Sequence, residues 1–181
     1  MKHALVVGGT GMLSEVCLWL CSQNYHVSVI GRNTVKMSRL IEQVDKGKIT
    51  SVLVDYNKVN LLDIHLKQTI HENGPITLVV AWVHTGGEQG LAKIIETVEQ
   101  PSEPWELYHV LGSRAKLSQV KRELCIPKNC HYLQVQLGFK LEEERGRWLN
   151  NHEIAEGVIK AIQRKAPTSL VGVLEPAEFR P

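Results

Sequence analysis

Cysteine is scarce in this chain, with four among 181 residues. That is too few for a disulfide scaffold, so stability has to come from a packed core. Long apolar runs are missing too, since none approaches the roughly 18–20 residues that span a bilayer. The N-terminus, Met1 to Gly9, has one positive residue and then an apolar run only a strand long. Neither a membrane partner nor a signal peptide is expected, and the expected location is cytoplasmic. No sign of charge dominates, because 21 basic and 19 acidic residues leave a net +2. That balance does not point to a nucleic-acid partner. Internal repeats and low-complexity tracts are absent. The eight histidines show no paired ligand spacing. Cys17 and Cys21 lie four apart on one helix without an adjacent His or acid, and Cys125 and Cys130 flank Pro127 in a turn. All four read as free thiols, and no metal is expected.

What is present suits a globular protein. Apolar residues make up 43% and charged residues 22%, enough apolar material to exclude disorder as the dominant state. The length suits one domain over residues 1–181. Strand-like apolar runs alternate with segments of helical spacing. Ala4 to Val7 is followed by Leu13, Val16, Cys17 and Leu20, with Asn24 as the helix end. His26 to Ile30 is followed by Met37, Leu40, Ile41 and Val44, with Gly47 as the end. Strands are expected again at Ile49 to Val54, Ile76 to Val83, Trp105 to Leu111, Leu133 to Leu137 and Leu170 to Leu174. Between them lie helices marked by Leu62, Leu66 and Ile70, by Leu91, Ile94, Ile95 and Val98, by Leu117, Val120 and Leu124, and by Ile154, Val158, Ala161 and Ile162. Gln134 and Gln136 predict a more polar face on the sixth strand, and Asn150 with Glu153 resembles a capping box. The pattern predicts an α/β Rossmann-like fold, a doubly wound, mainly parallel sheet of six to seven strands with helices on both faces. Ligands of such sheets bind beyond the carboxyl ends of the strands.

Gly8-Gly9-Thr10-Gly11-Met12-Leu13 lies at such an end, between the first strand and the first helix. Glycines there let a phosphate approach the backbone, and the helix N-terminus offers free N–H groups. It is not a Walker loop, because no Gly-Lys-Ser/Thr follows. The loop and the strand–helix order resemble the short-chain dehydrogenase/reductase superfamily, from Lys2 to about Leu174. Gly8 and Gly11 match the first two glycines of its motif, and Ser14 stands at the third.

The resemblance implies an NAD(P)-binding domain and an oxidoreductase. The second strand ends Gly31-Arg32-Asn33, with no acid to accept from a ribose 2′-hydroxyl. Arg32 suits a 2′-phosphate, with Lys36 and Arg39 nearby, so NADP(H) is preferred to NAD(H), with a solvated surface charge as the other reading of Arg32. By resemblance, Asp55, beside Tyr56, contacts adenine, although an Asp there also suits a helix cap. The resemblance further places Ala81, Trp82 and His84 beside the ribose and Gly138 at the segment closing over the nicotinamide. Trp148 reads as a packing anchor.

The superfamily reduces carbonyls with a Tyr and a Lys four residues later. Here Tyr25, Tyr56, Tyr108 and Tyr132 are followed at that spacing by Val29, Asn60, Gly112 and Gln136. The 18 residues from Ser113 to Cys130 leave room for only a short helix. Ser113 matches the superfamily's catalytic serine position, or it caps that short helix. His84 is the candidate proton donor, near Arg114, Lys116 and Lys140. Two functions follow. One is an oxidoreductase on an unknown carbonyl with a non-standard proton donor. The other is a non-catalytic NADP(H)-binding sensor or regulator with a protein partner. A homodimer is also expected from the resemblance.

Overall fold

A computed structural model describes residues 1–99, 103–143 and 145–181. Its elements alternate as the periodicity predicts. β1 (Lys2–Val7), α1 (Ser14–Ser22), β2 (Tyr25–Gly31), α2 (Thr34–Ile41) and β3 (Ile49–Leu53) form the first half. α3 (Val59–Asn73) leads to β4 (Ile76–Trp82), α4 (Glu88–Val98), β5 (Trp105–Leu111), the short α5 (Leu117–Glu123) and β6 (Cys130–Leu137). A hairpin of β7 (Phe139–Glu142) and β8 (Arg145–Trp148) precedes α6 (Asn151–Arg164) and β9 (Thr168–Val171).

Seven strands form one parallel sheet in the order β3-β2-β1-β4-β5-β6-β9. The chain winds outward from β1 to β3, then returns past β1 to β4 and continues the other way. Strand order therefore reverses between β1 and β4, and a crevice opens at their carboxyl ends.

Successive residues of β1 enter different cores. Ala4 and Val6 pack with α1 and α6, and Leu5 and Val7 pack with α3 and α4. Burial on both faces is why the strands read as continuous apolar runs.

Several expectations change. The second helix stops at Ile41, and its chain turns through Gln43 and Val44 before Gly47, whose φ of +86° belongs to the turn into β3. Similarly, α1 ends at Ser22, and Asn24 follows in a left-handed conformation. The last strand begins at Thr168 rather than Leu170, in register with Gln134. The β7–β8 hairpin was not anticipated. The polar face expected for β6 is buried, with Gln134 and Gln136 at 4% and 7% exposure. Their amides instead hold the chain after β5. Gln134 Nε2 donates to Leu117 O (2.9 Å), and Gln136 Nε2 donates to Ala115 O (2.9 Å).

At the opposite end of the sheet, His3 is buried. Its Nδ1 donates to Gly74 O (2.7 Å), and its Nε2 meets Ser28 Oγ (2.8 Å), which meets Thr69 Oγ1 (2.7 Å). Burial lowers the pKa of His3, so the ring is held neutral.

Candidate functional site

The crevice begins at the glycine loop. Gly8 has φ +83°, a conformation that side chains resist, and its N–H donates to Ile30 O (3.2 Å). Gly9 meets a different demand. A side chain there would sit 2.7 Å from both Cys17 Sγ and Val29 Cγ1, so the missing Cβ lets α1 lie close on the sheet. Above Gly11 the space is open, with Gly8 O, 3.8 Å away, the nearest atom to a built Cβ. Leu13 is the N-cap of α1, and no side chain caps that end. Ser14 N donates to Gly11 O (3.1 Å), so the N–H groups of the first turn beyond Ser14 are the ones left for an anion at the crevice. Thr10 packs beside Gly31, which joins the loop to the end of β2. Leu13 and Ala81 are fully buried, so their side chains belong to the core. Met12 lines the crevice.

Beyond β2 and β3, Arg32 Nη1 lies 3.7 Å from Asp55 Oδ2, with the two side chains 72% and 29% exposed. Such a loose, wet pair leaves the guanidinium free to re-pair. Asn33 Oδ1 caps α2 by accepting from Lys36 N (2.9 Å). Asp55 does not cap α3, whose N-cap is Lys58. Instead its Oδ1 accepts from Asn57 N (2.9 Å). Tyr56 also has a structural task. Its hydroxyl accepts from His84 N (3.2 Å), and its ring lies where a side chain on Gly87 would go. It ties the turn after β3 to the turn after β4.

Trp82 divides the region. Its Cβ and Cδ1 lie 3.6 Å from the Cβ position of Gly8, and its ring reaches toward Gly112 at the end of β5. On one side is a cleft of about 390 Å³ that contains Met12, Ser113, Gly138, Trp148 and Ile154. On the other is a cavity of about 960 Å³ that contains His84, His109 and Arg114. The two proposed catalytic residues are therefore not brought together. Ser113 faces the smaller cleft, and the exposed His84 lines the larger cavity, with its ring edge-on to Trp82 at 5.6 Å. Ser113 does not cap α5, because Lys116 is the N-cap. Lys140 is also separated, held by Glu153 (3.1 Å) and Glu142 (3.4 Å).

Gly138 sits where a side chain would strike the backbone of Val173, so this glycine permits a chain crossing as well as lining the cleft. Trp148 is half exposed at the cleft, which corrects its reading as a packing anchor. It stands on the hairpin, which is clamped to α6. Arg147 donates from two nitrogens to Glu153 (2.8 and 2.9 Å) and from Nη2 to Glu142 (2.9 Å). Glu153 also closes the capping box with Asn150. The Arg147 guanidinium and the Asn150 N–H hold the Glu153 carboxyl well below the usual carboxylate range.

Two residues that shape the site are not among those the sequence places there. Gln136 reaches Ser113 O and Gly112 O (both 3.4 Å) in addition to Ala115 O, and so positions the turn that carries Ser113. His109 is buried under the larger cavity, with Nδ1 2.8 Å from the Tyr132 hydroxyl. Burial pushes the imidazole pKa down to about 4.

Among the described residues, no group of three or more His, Cys, Asp or Glu is arranged to hold a metal ion. No helix among them is long and apolar enough to cross a membrane.

The reversal of strand order, the open glycine loop and the uncapped α1 define a doubly wound fold of the nucleotide-binding type. Solved structures place it further. A short-chain dehydrogenase/reductase from Serratia marcescens superposes with a TM-score of 0.71 at 15% identity, covering 94% of this chain and 97% of that one. A short-chain dehydrogenase/reductase from Burkholderia phymatum, solved in complex with NAD, gives 0.71 at 11% identity, covering 97% and 89%. A beta-ketoacyl-[ACP] reductase from Bacteroides thetaiotaomicron gives 0.66 at 13%, covering 95% of each chain. No protein-family model matches the sequence, and no curated protein matches it. The chain has the fold of the short-chain dehydrogenase/reductase proteins.

Proposed function

We propose that this chain is a short-chain dehydrogenase/reductase superfamily member whose function is to bind NADP(H) and report its presence to a partner, without carbonyl reduction of the superfamily's usual kind. The reading treats residues 1–181 as one NAD(P)-binding domain. Its main support is the crevice itself, where an open glycine loop and an uncapped helix N-terminus face the point of strand reversal. These features fit a pyrophosphate, with the backbone of Gly8 to Leu13 as its cradle. Arg32, loosely held by Asp55, re-pairs with the 2′-phosphate, and Asp55 then turns to the adenine. NADPH, when bound, would supply a transferable hydride, whereas this chain would supply binding and orientation. Catalysis of the usual kind requires a phenol with a depressed pKa beside a lysine, and no tyrosine here has a lysine four residues on.

A second reading, an oxidoreductase with a non-standard proton donor, has one observation in its favour. Ser113 lines the same cleft as Met12 and Gly138. A hydroxyl there can hold a carbonyl oxygen by hydrogen bonding.

Calorimetric titration with NADP⁺, NADPH and NAD⁺ tests the binding claim. NADP(H) is expected to bind at least ten times more tightly than NAD⁺, and no binding by any of the three would end both readings. If NADPH binds, its oxidation is then followed with a panel of aldehydes and ketones. No turnover is expected, and turnover abolished by Ser113→Ala would favour the oxidoreductase.

A further inference from the structure

The cavity on the far side of Trp82 takes no part in the proposed nucleotide site. It lies between α4 and the short α5, which buries none of its residues, beside the carboxyl end of β5. At about 960 Å³ it has the size of a small-molecule pocket. Its walls are apolar, supplied by Val83, Leu91, Ile95, Leu111, Val120 and Leu124. Its charged lining is mainly acidic, with Glu88, Glu96, Glu99 and Glu123 against Arg114. A field of that sign disfavours anions.

The floor carries one built polar group. His109 is 5% exposed and lines the cavity. A chain of hydrogen bonds leads to its Nδ1. Gln134 Nε2 donates to Leu117 O and to the Tyr132 hydroxyl (3.2 Å). The Tyr132 hydroxyl lies 2.8 Å from His109 Nδ1, and with the phenol as donor in that bond the neutral imidazole carries its proton on Nε2. Nε2 has no hydrogen-bond partner among the described residues. The sealed side-chain atoms without partners among them are Trp105 Nε1 and Arg180 Nε, so His109 Nε2 is not closed off and opens on the cavity. An accessible ring nitrogen with no protein partner is free to bond a ligand oxygen in place of water.

We propose that this cavity is a second ligand site, distinct from the nucleotide cleft, for an uncharged, largely apolar small molecule whose acceptor oxygen takes the His109 Nε2–H bond. The apolar walls hold the body of the ligand, the imidazole orients its oxygen, and the acidic lining excludes carboxylates and phosphates.

Nile red, a neutral apolar dye with a carbonyl oxygen, is a suitable probe. Its emission is expected to shift to the blue and saturate with the intact chain, whether or not NADPH is present. Ala92→Trp places a large ring into the cavity from the exposed side of α4, so it should weaken dye binding at least tenfold while leaving the thermal midpoint unchanged. His109→Leu keeps the apolar volume but removes the donor, with an expected loss of about 2- to 10-fold. The proposal is overturned by a wild-type chain that binds no dye saturably. It is equally overturned by binding that survives Ala92→Trp or is displaced by NADPH, which would put the dye elsewhere. Light scattering supplies the last arm, because a dimer that excludes the dye and is broken by Ala92→Trp would make this face a subunit interface instead.

Discussion

Arg32 Nη1 and Asp55 Oδ2 face each other at 3.7 Å across the neighbouring ends of β2 and β3. The contact is long and the guanidinium is mostly in water, so it contributes at most about 1 kcal/mol. A phosphate dianion is a stronger partner for the same cation. Arg32→Ala is therefore expected to weaken NADP(H) binding by about 10- to 100-fold, corresponding to the roughly 1.5–3 kcal/mol of a charged hydrogen bond. NAD⁺ affinity should change little. Calorimetry with both nucleotides checks this, and equal losses for the two would refute the 2′-phosphate role.

The glycines of the loop are expected to separate into two classes. At Gly9 an added methyl meets Cys17 and Val29 inside the core, so Gly9→Ala should cost about 1–3 kcal/mol of stability. That lowers the thermal midpoint by roughly 2–12 °C. Gly11→Ala meets open space and should leave stability within about 0.5 kcal/mol, yet it should weaken nucleotide binding by filling the cradle. Thermal melts and titrations on the two variants distinguish these outcomes.

Arg147 clamps the hairpin by joining Glu142 to Glu153. Arg147→Met should speed amide hydrogen exchange across β7 and β8 and leave the β1–β6 sheet protected, since the clamp lies outside both cores. Uniform acceleration throughout the sheet would show that the hairpin does not open by itself.

Acid should destabilise the fold before its carboxylates titrate. His109 has a folded pKa of about 4 against an ordinary 6.5, and burial lowers His3 and His26 as well. Below pH 6.5 the unfolded chain takes up protons that the folded chain refuses. The stabilisation from these neutral rings is complete above that pH and is lost as pH falls toward the folded values. For His109 alone the full loss is on the order of 3 kcal/mol. His152 works in the opposite sense, because Glu15 raises its pKa, but it is exposed. Urea midpoints at pH 7, 6 and 5 should fall steadily, and His109→Gln should flatten that slope. A midpoint independent of pH over this range would contradict the neutral buried rings.

Much of the architecture was readable from spacing alone. β5 runs from Trp105 to Leu111, as its apolar run implied, and Asn150 with Glu153 closes the expected capping box. Both are local signals, carried by residues a few positions apart. The glycine loop was readable for the same reason, although the sequence did not distinguish the packing task of Gly9 from the open face of Gly11. The site was less legible. Gln134 and Gln136 looked like a solvent face because alternation reports polarity and not burial, and only the backbone of the 112–117 segment explains them. Tyr56 was placed by its position after β3, and its hydroxyl's contact with His84 N, 28 residues away, could not be read from the sequence.

The order of strands and helices, the glycine turn after β1 and the missing Tyr–Lys spacing were determined by the sequence, because each is written in neighbouring residues. Tertiary structure alone decided that Trp82 separates Ser113 from His84, and that His109 lies beneath an open cavity beside the short α5. Those relationships join side chains from different strands. They arise only when the parallel sheet sets β4, β5 and β6 side by side and burial fixes which way each residue faces.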